Sequence, residues 1–439
     1  MNYSLGNMLS RGGALNPDGL ALDLQFAADK TLTARRGPTP TFTRASTATF
    51  VGSNGLIQTA AINAPRFDHD PVTLASRGLL IEESRTNLAL YSEALVSNTG
   101  WSGAFASTVS GTGPNGSAAY ELAESTSNVF QSFNNTGGAG GTGGTSITSG
   151  TTYTGSIFLK KISGSIDWLQ ITLGANGFGL SQYANINLSN GSIGNSSGGT
   201  ARVQAHANGW YRVSWTVVAN ATTSTSLSVV IAGIQNTNGT TRTPQYTGSA
   251  SNRFLAAMCQ FEAGSFPTSY IPTTTASVVR SADVCSITGS DFSGFYNQSE
   301  GTLFAGVAPQ PITQLAAVLL VNTNTFNNIQ SISKADGGGS TSGLRWVLTQ
   351  NPPLVTAATS LDEANVFAKL SMGYKSGDSA LYYNNKFGSS TSSVFTSIAP
   401  TQMQIGSRDS QRFINGHISE VKYFKKRLSN EKLQSLTAP

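Results

Sequence analysis

Short runs of alternating apolar and polar residues, each cut off by Gly, Pro, Asn or Ser, are the feature that most limits what this chain can fold into. In "NGWYRVSWTVVAN", Tyr211, Val213, Trp215 and Val217 fall on one side, and Arg212, Ser214 and Thr216 on the other. Leu20, Leu22, Leu24 and Phe26 alternate in the same way with Ala21, Asp23, Gln25 and Ala27. A period of two describes a strand with one buried and one wet face. "TYTGSIFLKKISG", "DWLQITLG", "YANINLSNGSI", "STSLSVVIAGI", "GTLFAGVAP" and "GLRWVLTQ" repeat the pattern, and Asn190-Gly191 is a hairpin-turn candidate. Only the last residues carry a helical signal: Ser429 as N-cap, Glu431 in the first turn, and Leu433 and Leu436 on one face.

The expected fold class is therefore all-β, with tandem β-sandwich (jelly-roll) domains after a short extended N-terminal arm. A length of 439 residues suits two or three cores. The boundaries expected are an arm over 1–20, a small β connector over 21–90, a jelly roll over 91–275 and a second sandwich over 276–439. "NNTGGAGGTGGTSITSG", residues 134–150, reads as a mobile surface loop.

Charged residues make up only 11% of the chain, and the net charge is +5 with no basic block, which gives no footprint for nucleic acid. Neutral hydroxyls and amides must supply most of the polar surface. Cys259 and Cys285 are too few to staple a chain of this size and read as ordinary thiols. The longest apolar run, Leu315 to Val321, is far short of the roughly 20 residues of a membrane helix, so a soluble protein without a secretory address or membrane insertion is expected.

Against this background "RGLLIEESRTNLALYSE", Arg77 to Glu93, stands out for its adjacent carboxylates. Glu82 and Glu83 are neighbours on a strand-like run and point to opposite faces, so they cannot flank one scissile bond, which most glycosidases need across roughly 5–9.5 Å. They read as a salt-bridged domain joint with Arg77 and Arg85, the apolar half of the run buried against the next domain. Asp362 and Glu363 have no spaced carboxylate partner, and His69, His206 and His417 lie in three separate regions with no nucleophile motif. No catalytic residues, no cofactor and no metal are expected. Sugar recognition needs an aromatic face beside hydrogen-bonding groups. "DWLQ" and "YKSGDSALYYNNKF" offer that combination, making Trp168, Gln170, Tyr374, Asp378, Tyr382 and Tyr383 the glycan-binding candidates. Trp168 and Trp210 read equally as core residues. Asp378, Asn384 and Asn385 suggest calcium less simply than they suggest a hairpin turn.

Five segments in order, "FTRASTATFV", "RGLLIEESRTNLALYSE" with Trp101 downstream, "NGWYRVSWTV", "FEAGSFPTSYIPTT" and "VVRSADV", resemble bacteriophage virion fibre or spike proteins of the head-fibre or tail-fibre type. In those proteins the middle part is similar to a carbohydrate-binding-module jelly roll. The end, here "MQIGSRDSQRFINGHISEVKYFKKRLSNEKLQSL", resembles concanavalin A-like (laminin G-like) domains. The likeness departs before "FEAGSFPTSYIP", where "AAMCQ" replaces an expected Trp-Gly-Ala-Gln. It implies a virion protein assembled in the host cytoplasm, with the arm docked to capsid, portal, collar or tail proteins and the outer sandwiches adhering to host-surface glycans. A homo-oligomer, by resemblance a trimer, is implied as well. A purely structural head fibre, collar or decoration protein is the alternative. A depolymerase ranks last, because the Glu-x-Asp-x-x-Glu strand of laminarinase-like members is missing.

Overall fold

The computed structural model describes residues 18–438 except 97–98, 140–143, 236–238, 310–315, 323–328, 336–342, 350–352, 360–366, 393, 395–399 and 409–411. Among the described residues the protein is nearly all β, built from antiparallel sheets, as the alternation predicts. Residues 1–17 of the arm expected over 1–20, and the pair Asp362 and Glu363, lie outside the described residues.

A central sandwich encloses one core. Its first sheet orders the strands Thr200–His206, Trp210–Val218, Thr152–Ser163, Arg253–Ala263, Ala118–Ala123 and Ala106–Thr112. Its second orders Ile193–Ser197, Tyr183–Asn187, Trp168–Thr172, Val230–Gly233, Ser132–Ala139 and Thr99–Gly103. Between them lie Trp101, Phe133, Ile157, Leu169, Val213 and Trp215, the Trp101 and Phe133 rings stacked at 5.0 Å. The Gly-rich stretch is only partly a loop. Its first residues extend the strand Ser132–Ala139, and Thr145–Ile147 pairs with Thr223–Ser226. Asn135 explains the order: it is buried, donates to the Leu90 carbonyl at 2.8 Å and accepts from Ser228 Oγ at 2.6 Å.

The second sandwich draws on both halves of the chain. Its eight-stranded sheet runs Lys386–Thr391, Ser379–Tyr383, Ala368–Lys375, Glu300–Ala308, Gly416–Phe424, Ser76–Ile81 and Phe67–His69, with Leu20–Leu24 also paired to Gly416–Phe424. The facing seven-stranded sheet begins with Thr41–Thr43, Val284–Thr288 and Gln402–Ile405 and continues through four strands between Ala316 and Thr359. Leu22, Leu79 and Ile81 share its core with Leu303, Ile405 and Val421. Strands of residues 20–87 thus pair into the sheets of residues 278–424 rather than forming sheets only among themselves. Gly78 permits this: at φ +90°, a Cβ there would stand 2.2 Å from the Ile418 carbonyl oxygen.

Helix is not confined to the end. Phe26–Asp29, Ala175–Phe178 and Gly289–Phe295 are short helices, the last burying Phe292 and Phe295 one turn apart, a spacing hidden among Gly and Ser. The terminal helix Asn430–Leu436 is capped as predicted, Ser429 Oγ accepting from Lys432 N at 3.4 Å, with Leu433 fully buried. Ser429→Ala should lower stability by about 1 kcal/mol, read as a shift of the denaturation midpoint. The hairpin after Tyr383 turns on Asn384 and Asn385 at φ 42° and 63°, the left-handed pair that a two-residue turn demands. At Asn190-Gly191 the turn also forms, as a five-residue loop between Tyr183–Asn187 and Ile193–Ser197.

Candidate functional site

The alternation in "NGWYRVSWTV" places Val213, Trp215 and Val217 in the central core, as expected. Its other face is not wet. Ser214 and Thr216 are buried, because the hairpin Ala48–Val51/Ile57–Ala60 and the segment around Tyr270 cover that side of the sheet. Ile57, Phe158, Trp210, Met258 and Tyr270 form a small apolar cluster in the resulting joint.

Beside that cluster the joint is held by buried charge. Arg66, fully enclosed, donates to Glu82 at 2.8 Å and to Asp283 at 2.5 Å. Arg44 donates to Asp283 at 3.0 Å, and Arg280 stands 3.6 Å from Glu82. Ser269 closes the ring, donating to Glu82 from its backbone N at 2.8 Å and its Oγ at 2.6 Å. Burial alone would raise the Glu82 carboxyl. Arg280, Arg66 and the Ser269 hydrogen bonds outweigh it and hold the group well below the usual carboxylate range. Asp283 also accepts from the Glu82 backbone N at 2.9 Å, so the two carboxylates are fixed to one another through the main chain.

The four expected joint residues enter three separate pairings. Glu83 binds Arg85 at 2.5 Å and accepts from Asn415, as a local bridge does. Arg77 pairs instead with Asp70 at 2.6 Å, and Glu82 reaches Arg66 and Arg280. Arg66 and Asp283 were passed over in the sequence because their partners lie far along the chain, 16 residues away for Arg66 and Glu82 and 217 for Arg66 and Asp283.

Next to the ion cluster lies a cavity of 370 Å³. Its walls come from Thr49 to Asp68, from Arg77 to Glu82, from the outer face of the central sheet, from Pro267 to Tyr270, and from His417. His417 Nε2 lies 2.6 Å from Asp68, whose other oxygen accepts from Val51 N at 2.6 Å. His69 sits behind it, with Nδ1 3.2 Å from the Val51 carbonyl. His206 is 6% exposed, and neither ring nitrogen has a partner among the described residues. Burial, aided by the Arg212 charge, pushes its pKa down to about 3, so the ring is neutral at pH 7. Arg212 lies over the Phe158 ring at 5.6 Å and donates to Ser156 Oγ at 3.1 Å. Two of the three histidines, distant in sequence, thus line one cavity with three arginines.

The glycan-binding candidates fare differently. Tyr374 is fully buried and bonded to Tyr423 Oη at 2.8 Å. Gln170 is fully buried too, donating to Asn185 at 2.9 Å and accepting from Thr243 N at 2.7 Å. Tyr382 packs under the terminal helix and Tyr383 against the opposite core, so both faces of their sheet are covered. Trp168 is half-buried, and Asp378 is exposed, accepting from Arg427 at 2.8 Å. Nothing gathers these six around one space. Trp168 and Gln170 belong to one sandwich, the others to the second.

No family model matches the chain, and no curated protein matches it. Among solved structures, the CBM40 of the Ruminococcus gnavus IT-sialidase bound to α2,6-sialyllactose shares 12% identity, over 34% of this chain and 88% of its own, at a TM-score of 0.29. Domain 4 of AbnA, a GH43 extracellular arabinanase from Geobacillus stearothermophilus, in complex with arabinotriose, shares 13% over 39% of this chain and 82% of its own, at 0.31. The SAP-like pentraxin of Limulus polyphemus shares 14% over 31% and 68%, at 0.26. Likenesses this partial carry no argument about function, which rests on the chain's own residues.

The substituted segment "AAMCQ" lies at the joint. Met258 is buried at a bulge with φ 55°, a conformation that favours glycine, where the resemblance anticipates one. Cys259 beside it and Cys285 in the other sandwich are both buried free thiols.

Proposed function

We propose that the chain is a subunit of a bacteriophage virion appendage that adheres to host-surface glycans and carries no catalytic activity. The observation that supports this reading is the convergence of the five segments on which the resemblance rests. "FTRASTATFV" supplies Arg44 and Thr49, "RGLLIEES" supplies Arg77 and Glu82, and "NGWYRVSWTV" supplies Arg212. "FEAGSFPTSYIP" brings Ser269 and Tyr270, and "VVRSADV" brings Arg280 and Asp283. All of them belong to the ion cluster or the cavity wall. What the five segments share is one joint held by buried ion pairs, which suits a projecting appendage, and one recess in it.

The recess suits a saccharide better than an apolar ligand, because arginines, hydroxyls and the Gln204 amide line it alongside Phe158 and Tyr270. Weak binding per site is enough where many copies on one particle act together. The full chain should bind a subset of surface polysaccharides on a glycan array. Electron cryo-microscopy of particles carrying it should find the mouth of the cavity facing outward. A cavity covered by capsid or tail proteins would leave a purely structural part.

A further inference from the structure

Two arginines on the cavity wall have no carboxylate. The strands Thr200–His206 and Trp210–Val218 pair Arg202 with Ser214 and Gln204 with Arg212. Arg202 and Arg212 are therefore diagonal neighbours on the same face, with Cα atoms about 7–8 Å apart, within reach of one ligand for side chains of this length. Arg202 is half-buried and makes no hydrogen bond or ion pair among the described residues; Arg212 donates to Ser156 Oγ through one nitrogen, and its Nε is buried and unpartnered. Both are lowered from the usual arginine value by loss of water, although each remains charged at pH 7. The nearby acids are already committed, Glu262 to Gln260 and Thr268, Glu82 to Arg66 and Ser269, and Asp68 to His417 and Val51. A desolvated guanidinium is costly unless an anion meets it, and a guanidinium fork matches a carboxylate.

We infer that the cavity takes an acidic sugar, its carboxylate held between Arg202 and Arg212 and its ring hydroxyls met by Gln204. The inference rests on the glycan-binding reading of the same recess. His206 packs edge-on against Phe158 with both ring nitrogens sealed from solvent, so it serves as a neutral part of the cavity wall. A carboxylate on a sugar ring uses both the arginine charges and the neighbouring Gln204 amide. Inorganic phosphate would use the charge alone, leaving most of the 370 Å³ to water.

The test uses the full chain at pH 7, titrated with the methyl glycosides of glucuronate, galacturonate and N-acetylneuraminate, with their neutral methyl esters, and with inorganic phosphate. One or more of the acids should bind, and its ester at least tenfold more weakly. Arg202→Gln should remove that preference without shifting the melting midpoint, since the side chain is half-exposed. Arg212→Lys, which keeps the charge and loses the fork, should weaken binding of the acid. Neutral glycans bound as well as acids, and insensitive to R202Q, would overturn the acidic ligand while leaving glycan adhesion standing. Phosphate bound as tightly as the best sugar acid would overturn the sugar. Binding of no glycan on the array would bring down both readings.

Discussion

Glu82→Ala is expected to lower stability by about 3–5 kcal/mol, the range found when one member of a buried, hydrogen-bonded ion pair is removed. The substitution strips Arg66 of one of its two carboxylates, leaves Arg280 without a close anion, and orphans the Ser269 N–H and hydroxyl. Glu82→Gln keeps the volume and some of the hydrogen bonds, so it should cost less. Glu83→Ala is the control: its bridge to Arg85 is partly exposed, and about 1 kcal/mol or less is expected. Chemical denaturation of the three variants orders them. Equal losses at Glu82 and Glu83 would show that the cluster does not lock the joint.

The second large effect is on the acid side of neutrality. His206 has a folded pKa of about 3, against about 6.5 for a free histidine. Between those values the unfolded chain binds a proton that the folded chain refuses, so stability rises with pH across this window and is lost as pH falls through it. The slope reaches about 1.4 kcal/mol per pH unit, so roughly 2 kcal/mol should be gone by pH 5 relative to pH 7. Glu82 acts in the same direction but lower down: its folded pKa is depressed, so its stabilisation is whole above the free-carboxylate value and declines only below it. His206→Gln should therefore flatten the loss between pH 7 and pH 5 and leave the steeper fall below pH 4 in place. Urea unfolding at pH 7, 5 and 3.5 separates the two groups. An unchanged slope between pH 7 and 5 would show that His206 is accessible to protons in the folded state.

The strands could be read from the sequence because a period of two survives any tertiary arrangement, as the faces of Trp210–Val218 show. What covers a face is not local information. Arg212, Ser214 and Thr216 look solvent-bound until the distant Ala48–Val51 hairpin is laid over them. The joint was half legible: adjacent carboxylates among few charges drew attention to Glu82 and Glu83, whereas Arg66 and Asp283 reach it from other segments. For the cavity, Arg202 and His206 alternate along one strand, Arg212 lies on the next, and His417 arrives more than two hundred residues later. Each is unremarkable alone. Burial is not local information either: Tyr374 is satisfied by Tyr423 and Gln170 by Asn185 and Thr243, each inside its own sandwich.

The pairing of Leu20–Leu24 with Gly416–Phe424 also sets the order in which the molecule can be made. Gln25 meets Glu420 across 395 residues of intervening chain. During synthesis the central sandwich, whose strands all lie between Thr99 and Ala263, can close while the ribosome is still working. Leu22 and Leu24 must then wait, unpaired, until Val421 and Tyr423 emerge. Contacts of such long separation form slowly and leave open sheet edges exposed in the interval. Two copies folding side by side would be prone to exchanging that first strand, so the same topology that welds the finished chain makes its closure the step most in need of protection.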